Sequence, residues 1–363
     1  MDKRIYQIAL SLLTGVGPIK AKAMVSHIGD LEGVFKENAR SLGLIPGVGT
    51  NIIKGLNRKA ALERAEEELN FLDKYAIDLH YYQDEKYPAK LKFCEDGPIV
   101  LFAKGNVNFN KKNVAIVGTR KATAYGKNLT SQLISDLASL DVQIVSGLAF
   151  GIDIEAHKAA LANDLSTLAV MGLGLDIIYP AAHKLTAKMM LENGGLITEY
   201  LSKTAGDTSN FPKRNRIVAG ICDAVVVVES GPSGGSLITA NLANDYNRDV
   251  FAFPGNIDQE FSKGCNNLIR LDKAHLITNA DDLVKIMGWE QKEKIANIQT
   301  QLFAELSNDE EKIVNIFRAK GEVDIDNLSY ESEMTAGILS MHLFNLEMKG
   351  LVKVVPGKRY SLL

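Results

Sequence analysis

Apolar residues fall into three regimes along the chain. Over residues 1–72 they recur at helical spacing, and two of the interruptions are alike: Leu13-Thr14-Gly15-Val16-Gly17-Pro18 and Ile45-Pro46-Gly47-Val48-Gly49-Thr50. Each fits a helix, a tight glycine turn and a second helix, and residues 60–72 then read as a charged amphipathic helix. From Asp78 to about Met287, short unbroken apolar runs alternate with helical stretches. Runs such as Val114-Ala115-Ile116-Val117 predict strands buried on both faces, hence an open parallel sheet. Main strands are expected at 114–117, 143–145, 167–171, 196–198, 224–228 and 250–253, a late one at 275–277, and short added strands at 79–82 and 99–103. Residues 291–304 are polar and unpatterned. Beyond them come helices at 308–320 and 336–349, a short helix or turn at 323–328, and a hairpin at 351–355 and 358–362, which together read as a winged helix.

These regimes divide the 363 residues into an N-terminal helical domain (1–72), a sheet domain (73–290), a linker (291–305) and a winged-helix domain (306–363). No run approaches the roughly 20 apolar residues of a membrane span, and Met1-Asp2-Lys3-Arg4 opens no cleavable leader, so a cytoplasmic protein without membrane contact is expected. Three cysteines without CxxC spacing favour a reducing compartment and argue against structural zinc. The net charge of −3 confines any nucleic-acid site to a local basic patch. One such surplus lies in residues 1–60, with nine Lys/Arg against four Asp/Glu. The two glycine phrases there resemble helix-hairpin-helix turns, whose amides contact phosphate; turns that merely join packed helices have the same pattern.

Candidate chemistry collects where the strands end, which is where parallel sheets bind ligands. After 114–117 come Gly118, Thr119 and Arg120, and then a helix from about Tyr125: a close-approach glycine, a guanidinium and helix-start amides, all suited to phosphate. After 143–145, Ser146 and Gly147 can offer a hydroxyl and an amide to the same ligand. Asp153 can cap the next helix, and His157 one turn later reads as a hydrogen-bonded core histidine before it reads as a catalytic partner. Phe211-Pro212-Lys213-Arg214-Asn215-Arg216 opens a helix with three cations beside an aromatic ring, a combination that suits an unpaired base and its phosphates. Ser233, Gly234, Gly235 and Ser236 form an anion nest at a strand–helix junction. Residues 231–235 also satisfy the nucleophile-elbow spacing, which needs a later acid and histidine; His275 is available, with Asp258 or Asp272 as acid, and none of them sits in a matching motif. No complete dinucleotide or P-loop fingerprint is present, and no cofactor or metal is implied.

The phrases AIVGTR (115–120), IVSGLAFGIDIEAH (144–157), GLDIIYP (174–180), FPKRNRIVAG (211–220), SGGSLITA (233–240) and FAFPGN (251–256) resemble, in order and spacing, the DprA/Smf family of DNA-processing proteins. The resemblance implies an α/β fold: an extended Rossmann-like sheet between an N-terminal helix-hairpin-helix or SAM-like domain and a C-terminal winged helix. It also implies a non-enzymatic protein that binds and protects single-stranded DNA, forms a homodimer through the sheet domain, and loads RecA recombinase during natural transformation. By that analogy Arg120 takes phosphate, Phe211 to Arg216 supply a stacking ring and cations, and residues 146–147 and 233–236 line the pocket. The alternative is a Rossmann-like enzyme on nucleotides of the phosphoribohydrolase kind. That reaction needs an acid soon after the Gly-Gly loop, where this chain has Leu237-Ile238-Thr239-Ala240. The tail holds seven Lys/Arg against nine Asp/Glu, and its third helix is mostly apolar, so the winged helix is expected to contact protein before duplex DNA.

Overall fold

A computed structural model describes residues 1–204, 206–290, 306–355 and 359–362. They form two compact units, Met1–Trp289 and Glu290–Leu363. The first is built on a nine-stranded sheet: β1 (Asp78–Tyr81), β2 (Val100–Gly105), β3 (Lys112–Val117), β4 (Val142–Ser146), β5 (Ser166–Val170), β6 (Gly194–Thr198), β7 (Ala224–Val227), β8 (Asp249–Ala252) and β9 (His275–Leu276), in the spatial order β1-β2-β6-β5-β4-β3-β7-β8-β9. The seven strands from β6 to β9 pair in parallel, and β1 and β2 add an antiparallel edge.

Side chains alternate across each strand, and the unbroken apolar runs serve two layers at once. Val114 and Ile116 join Val226 and Val228 against the helices Ala124–Asp136 and Ile152–Ala162. Ala115 and Val117 join Val225 and Val227 against the helices Asn210–Ile221 and Gly235–Asp245. The helices that follow β3 and β7 therefore lie on opposite faces of the sheet.

The N-terminal helices, ending with Arg58–Tyr75, share one hydrophobic cluster with β1, β2, β5 and β6; Ile8, Leu10 and Leu72 pack in the same core as Phe102, Ala169 and Leu196. A polar clamp locks this contact. Glu68 is buried and accepts from the Ser202 amide at 2.9 Å, the Ser202 hydroxyl at 2.6 Å and the Arg64 guanidinium at 2.9 Å. Much of the local positive surplus turns inward. Lys22 Nζ donates to the carbonyls of Cys94 and Glu95, Arg58 to those of Phe35 and Glu37, and Arg4 pairs with Asp2 and Asp73. Lys36 and Lys59 pair with Glu32 and Glu63, which leaves Lys3, Lys20, Arg40 and Lys54 without an ion pair among the described residues. The inward bonds reduce the surplus, while Lys20 and Lys54, which follow the two glycine turns, remain without an ion pair among the described residues.

The second unit contains the helices Asn308–Lys320, Ile325–Ser332 and Ala336–Met348 and a small sheet of β10 (Val323–Asp324), β11 (Val352–Val355) and β12 (Arg359–Leu362) in the order β10-β12-β11. Ser307 and Glu310 cap the first helix reciprocally, as Ser at the N-cap and Glu three residues on require. The linker expected at 291–305 and the turn at Pro356-Gly357 lie outside the described residues. Among the described residues no helix is long and apolar enough to cross a membrane.

Removing the clamp tests its weight. Glu68→Ala leaves the Ser202 amide and the Arg64 guanidinium without their shared acceptor, and should destabilise the 1–289 unit by about 2–4 kcal/mol in urea unfolding. A change within experimental error would mean that water replaces the carboxylate there.

Candidate nucleic-acid interface

Because β3 has β4 on one side and β7 on the other, the loops leaving β3 and β7 turn to opposite faces and open a crevice between them. A cleft of about 440 Å³ lies there, bounded by residues 118–121, the start of the helix Asn210–Ile221 and the loop 230–236.

The helix start that follows β3 is not open to a ligand. Glu229, just past the end of β7, is buried, and its carboxylate accepts from the Thr123 hydroxyl at 2.6 Å and the Thr123 amide at 3.0 Å. Gly126 lies so close to this carboxylate that a Cβ would collide with it. An internal anion thus fills the place where a nucleotide phosphate would sit at the first strand–helix turn. This corrects the expectation of free amides there, and the chemistry at the end of β3 falls to Arg120. That side chain is exposed and has no hydrogen-bond or ion-pair partner among the described residues. Its loop is braced: the Thr119 amide donates to the Glu229 carbonyl at 2.8 Å, the Thr119 hydroxyl accepts from the Lys121 amide at 3.1 Å, and Gly151, at φ +80°, packs against the Thr119–Arg120 backbone with no space for a side chain.

The other helix start is open. Gly235–Asp245 begins at Gly234 without a side-chain cap, and Ser233 and Gly235 are exposed on the cleft rim. Its dipole and free amides can hold a phosphate. Ser236 turns inward, where its hydroxyl donates to Ser230 Oγ at 2.9 Å.

The three cations of Phe211–Arg216 part company. Lys213 is exposed and among the described residues reaches only the Ser209 hydroxyl, at 3.4 Å. Arg216 pairs with Glu199, whose acidity burial weakens and Arg216 partly restores. Arg214 is buried and donates to the carbonyls of Val170 and Gly147, the latter at 3.0 Å. Burial lowers the Arg214 pKa and raises that of Asp153, and each charge opposes the other's shift. Asp153 does not cap its own helix, whose N-cap is Gly151; its carboxylate instead accepts from the Gly147 amide at 3.1 Å and the Ala149 amide at 3.4 Å. The Gly147 amide and carbonyl are thus both used internally. Ser146 is buried and donates to the Ile116 carbonyl at 2.6 Å, so it faces no ligand. Asn215 Nδ2 donates to the Gly235 carbonyl at 3.2 Å and ties the two cleft walls together.

Phe211 is half-buried, with Tyr179 beside it at a centroid distance of 5.6 Å and a 39° tilt, and Tyr179 is exposed. The rings offer an apolar surface next to Lys213. Sequence reasoning singled out neither Tyr179 nor Glu229; a carboxylate directly after four valines of a central strand was the available signal. Among the described residues no histidine lines the cleft, so Ser233 has no base beside it for the nucleophile-elbow reaction.

His157 is fully buried, with Nδ1 2.7 Å from the Thr167 hydroxyl. Burial, then the charges of Arg214 and His183, push its pKa from 6.5 down to about 3. The unfolded chain therefore takes up this proton near pH 6.5 while the fold refuses it. The stability contributed by the neutral ring is complete above pH 6.5 and falls by about 1.4 kcal/mol per pH unit as pH drops toward 3. Unfolding free energies measured between about pH 4 and 6.5 should decline less steeply in His157→Gln, by the equivalent of one proton. Parallel slopes would remove His157 from the acid response.

A family model for DNA recombination-mediator protein A matches residues 78–288, and a model for the DprA winged helix domain matches residues 299–358. The Synechocystis protein Smf is 31% identical over 398 residues, covering 99% of each chain. Among solved structures, DNA processing protein A from Streptococcus pneumoniae superposes with a TM-score of 0.63 at 33% identity, over 78% of this chain and 98% of that one. DNA processing protein A from Helicobacter pylori, whose single-stranded DNA binding mode was the subject of its structure, does so with a TM-score of 0.54 at 28% identity, over 59% and 97%. With the sheet domain, the winged helix and the whole-length relative in agreement, this chain belongs to the DNA recombination-mediator protein A family, also called DprA or Smf.

Proposed function

We propose that the protein binds single-stranded DNA in the crevice between β3 and β7, protects it without breaking a bond, and delivers it to a RecA-type recombinase. One observation carries the binding role: the unpaired Arg120 and Lys121 and the ring of Phe211 line an open cleft, with Tyr179 against the Phe211 ring, while the place for a small nucleotide's phosphate at the first helix start is filled by Glu229. Such a cleft favours a polymer held by its backbone and by stacked bases over a mononucleotide held by a helix start. In this reading Arg120 and Lys213 take phosphates, together with the amides at Ser233, Gly234 and Gly235. Phe211 stacks a base. Thr119, Gly118, Ser146, Gly147, Asn215 and Ser236 shape the walls, and Arg214 and Arg216 hold them from behind.

Family membership supports the hand-off to a recombinase and a homodimer through the sheet domain. It also supports a cytoplasmic setting, which three unpaired, buried cysteines suit. The helix Ala336–Met348 carries no Lys or Arg and exposes Ile338, Met341, Phe344 and Met348, which supports a protein-contact role for the winged helix.

A salt titration on fluorescent oligo-dT tests the reading. Log affinity should fall by about 0.7 per contacted phosphate against log salt. Arg120→Ala should weaken binding by about 1–3 kcal/mol, the range for a charge-assisted hydrogen bond. Equal affinity for a mononucleotide, or an unaltered Arg120→Ala, would overturn it. Deleting residues 290–363 should leave most of the single-strand affinity in place.

A further inference from the structure

Beyond Arg120 and Lys121 the surface dips into a second groove of about 410 Å³, bordered by these two residues and by Lys127, Phe150 and Lys158. The groove and the crevice share the Arg120–Lys121 ridge. Lys121, Lys127 and Lys158 are exposed, and none has a side-chain hydrogen bond or ion pair among the described residues. Among the described residues Glu155 is the one carboxylate on the groove wall.

Phe150 is 49% exposed, yet it is held in place. Its ring meets His183 edge to face at 4.9 Å and 71°, and His183 Nδ1 lies 2.8 Å from the Leu148 carbonyl. The turn that presents the ring puts Leu148 at φ +56°, a conformation that a branched side chain rarely takes and that clusters at functional loops. An aromatic ring fixed by its edge, half bare and ringed by unpaired lysines, has the makings of a stacking platform with phosphate contacts around it. An acidic protein surface would match the charge but would make no use of an isolated flat ring.

Resting on the proposed single-strand binding, we propose that this groove is a second nucleotide subsite, in which a base further along the same strand stacks on Phe150 while Lys127 and Lys158 hold its phosphates. The strand then bends over the Arg120–Lys121 ridge, and each protein copy grips it on both sides of that ridge.

The experiment is an oligo-dT length series on the full chain. Phe150→Ala should lower affinity about tenfold for oligomers long enough to span both subsites, while the shortest oligomer that binds is unaffected. Arg120→Ala should weaken both. The chain has a single tryptophan, Trp289, stacked under Lys112, so Phe150→Trp adds a reporter whose emission should be quenched by the long oligomer and not by the short one. Equal affinity of Phe150→Ala and the parent at every length, or an emission from the introduced indole of Phe150→Trp that ignores saturating strand, would overturn the subsite while leaving the crevice intact. Failure of the parent chain to bind any oligomer would overturn both.

Discussion

Strand β3 has parallel neighbours on both sides, and the site depends on that constraint. The chain leaves β3 toward β4 on one face and reaches β7 from the other, so no connection can cover the carboxyl ends of these two strands. The opening left there would be a nucleotide site if its first helix start were free. Glu229 occupies it instead, reaching across from β7 to Thr123 and joining the two diverging loops. The result is a cleft whose charge comes from side chains on its rim and from the helix start at Gly234, and not from amides at the end of β3.

Charged residues near the cleft divide into two sets with different physics. Arg214 with Asp153, and Arg216 with Glu199, are withdrawn from water, where an unpaired charge would cost several kcal/mol and a paired, hydrogen-bonded one holds backbone in place. Gly147 and Val170 carbonyls end up fixed by a guanidinium, which sets the position of the β4 loop. Arg120, Lys121 and Lys213 stay hydrated and unneutralised, ready to exchange counterions for phosphate. Removing a member of the first set should disturb the shape of the cleft; removing a member of the second should change its affinity alone.

The same economy operates in the N-terminal helices. Their surplus of basic residues suggests a DNA-tracking module when counted along the chain, but Lys22 and Arg58 are spent on backbone carbonyls and Arg4 on carboxylates. Ile52 comes against Gly15, and the Lys20 stem approaches Gly47, so the two glycine turns pack toward each other's helices. In the second unit the helix Ala336–Met348 is apolar nearly all round. Leu339, Leu343 and Leu346 fill the core while the opposite side remains bare, the reverse of a helix built to read base edges.

Strand positions were legible because a parallel strand buried on both faces must be continuously apolar, and Val114–Val117 and Ala224–Val228 could be little else. The placement of functional loops at the strand ends followed from the same alternation. Part of the fate of Phe211–Arg216 was also written in the chain: Arg214 shares helical phase with Ile217, Val218 and Ile221, which marks it for the buried face, whereas counting cations hid this. Nothing local could reveal Glu229 as the partner of Thr123, 106 residues away, or Tyr179 as the neighbour of Phe211. Hydrophobic periodicity acts over a few residues and is set by the geometry of one element. Which charge neutralises which helix start is decided by strand order, and strand order exists only once the whole sheet has formed.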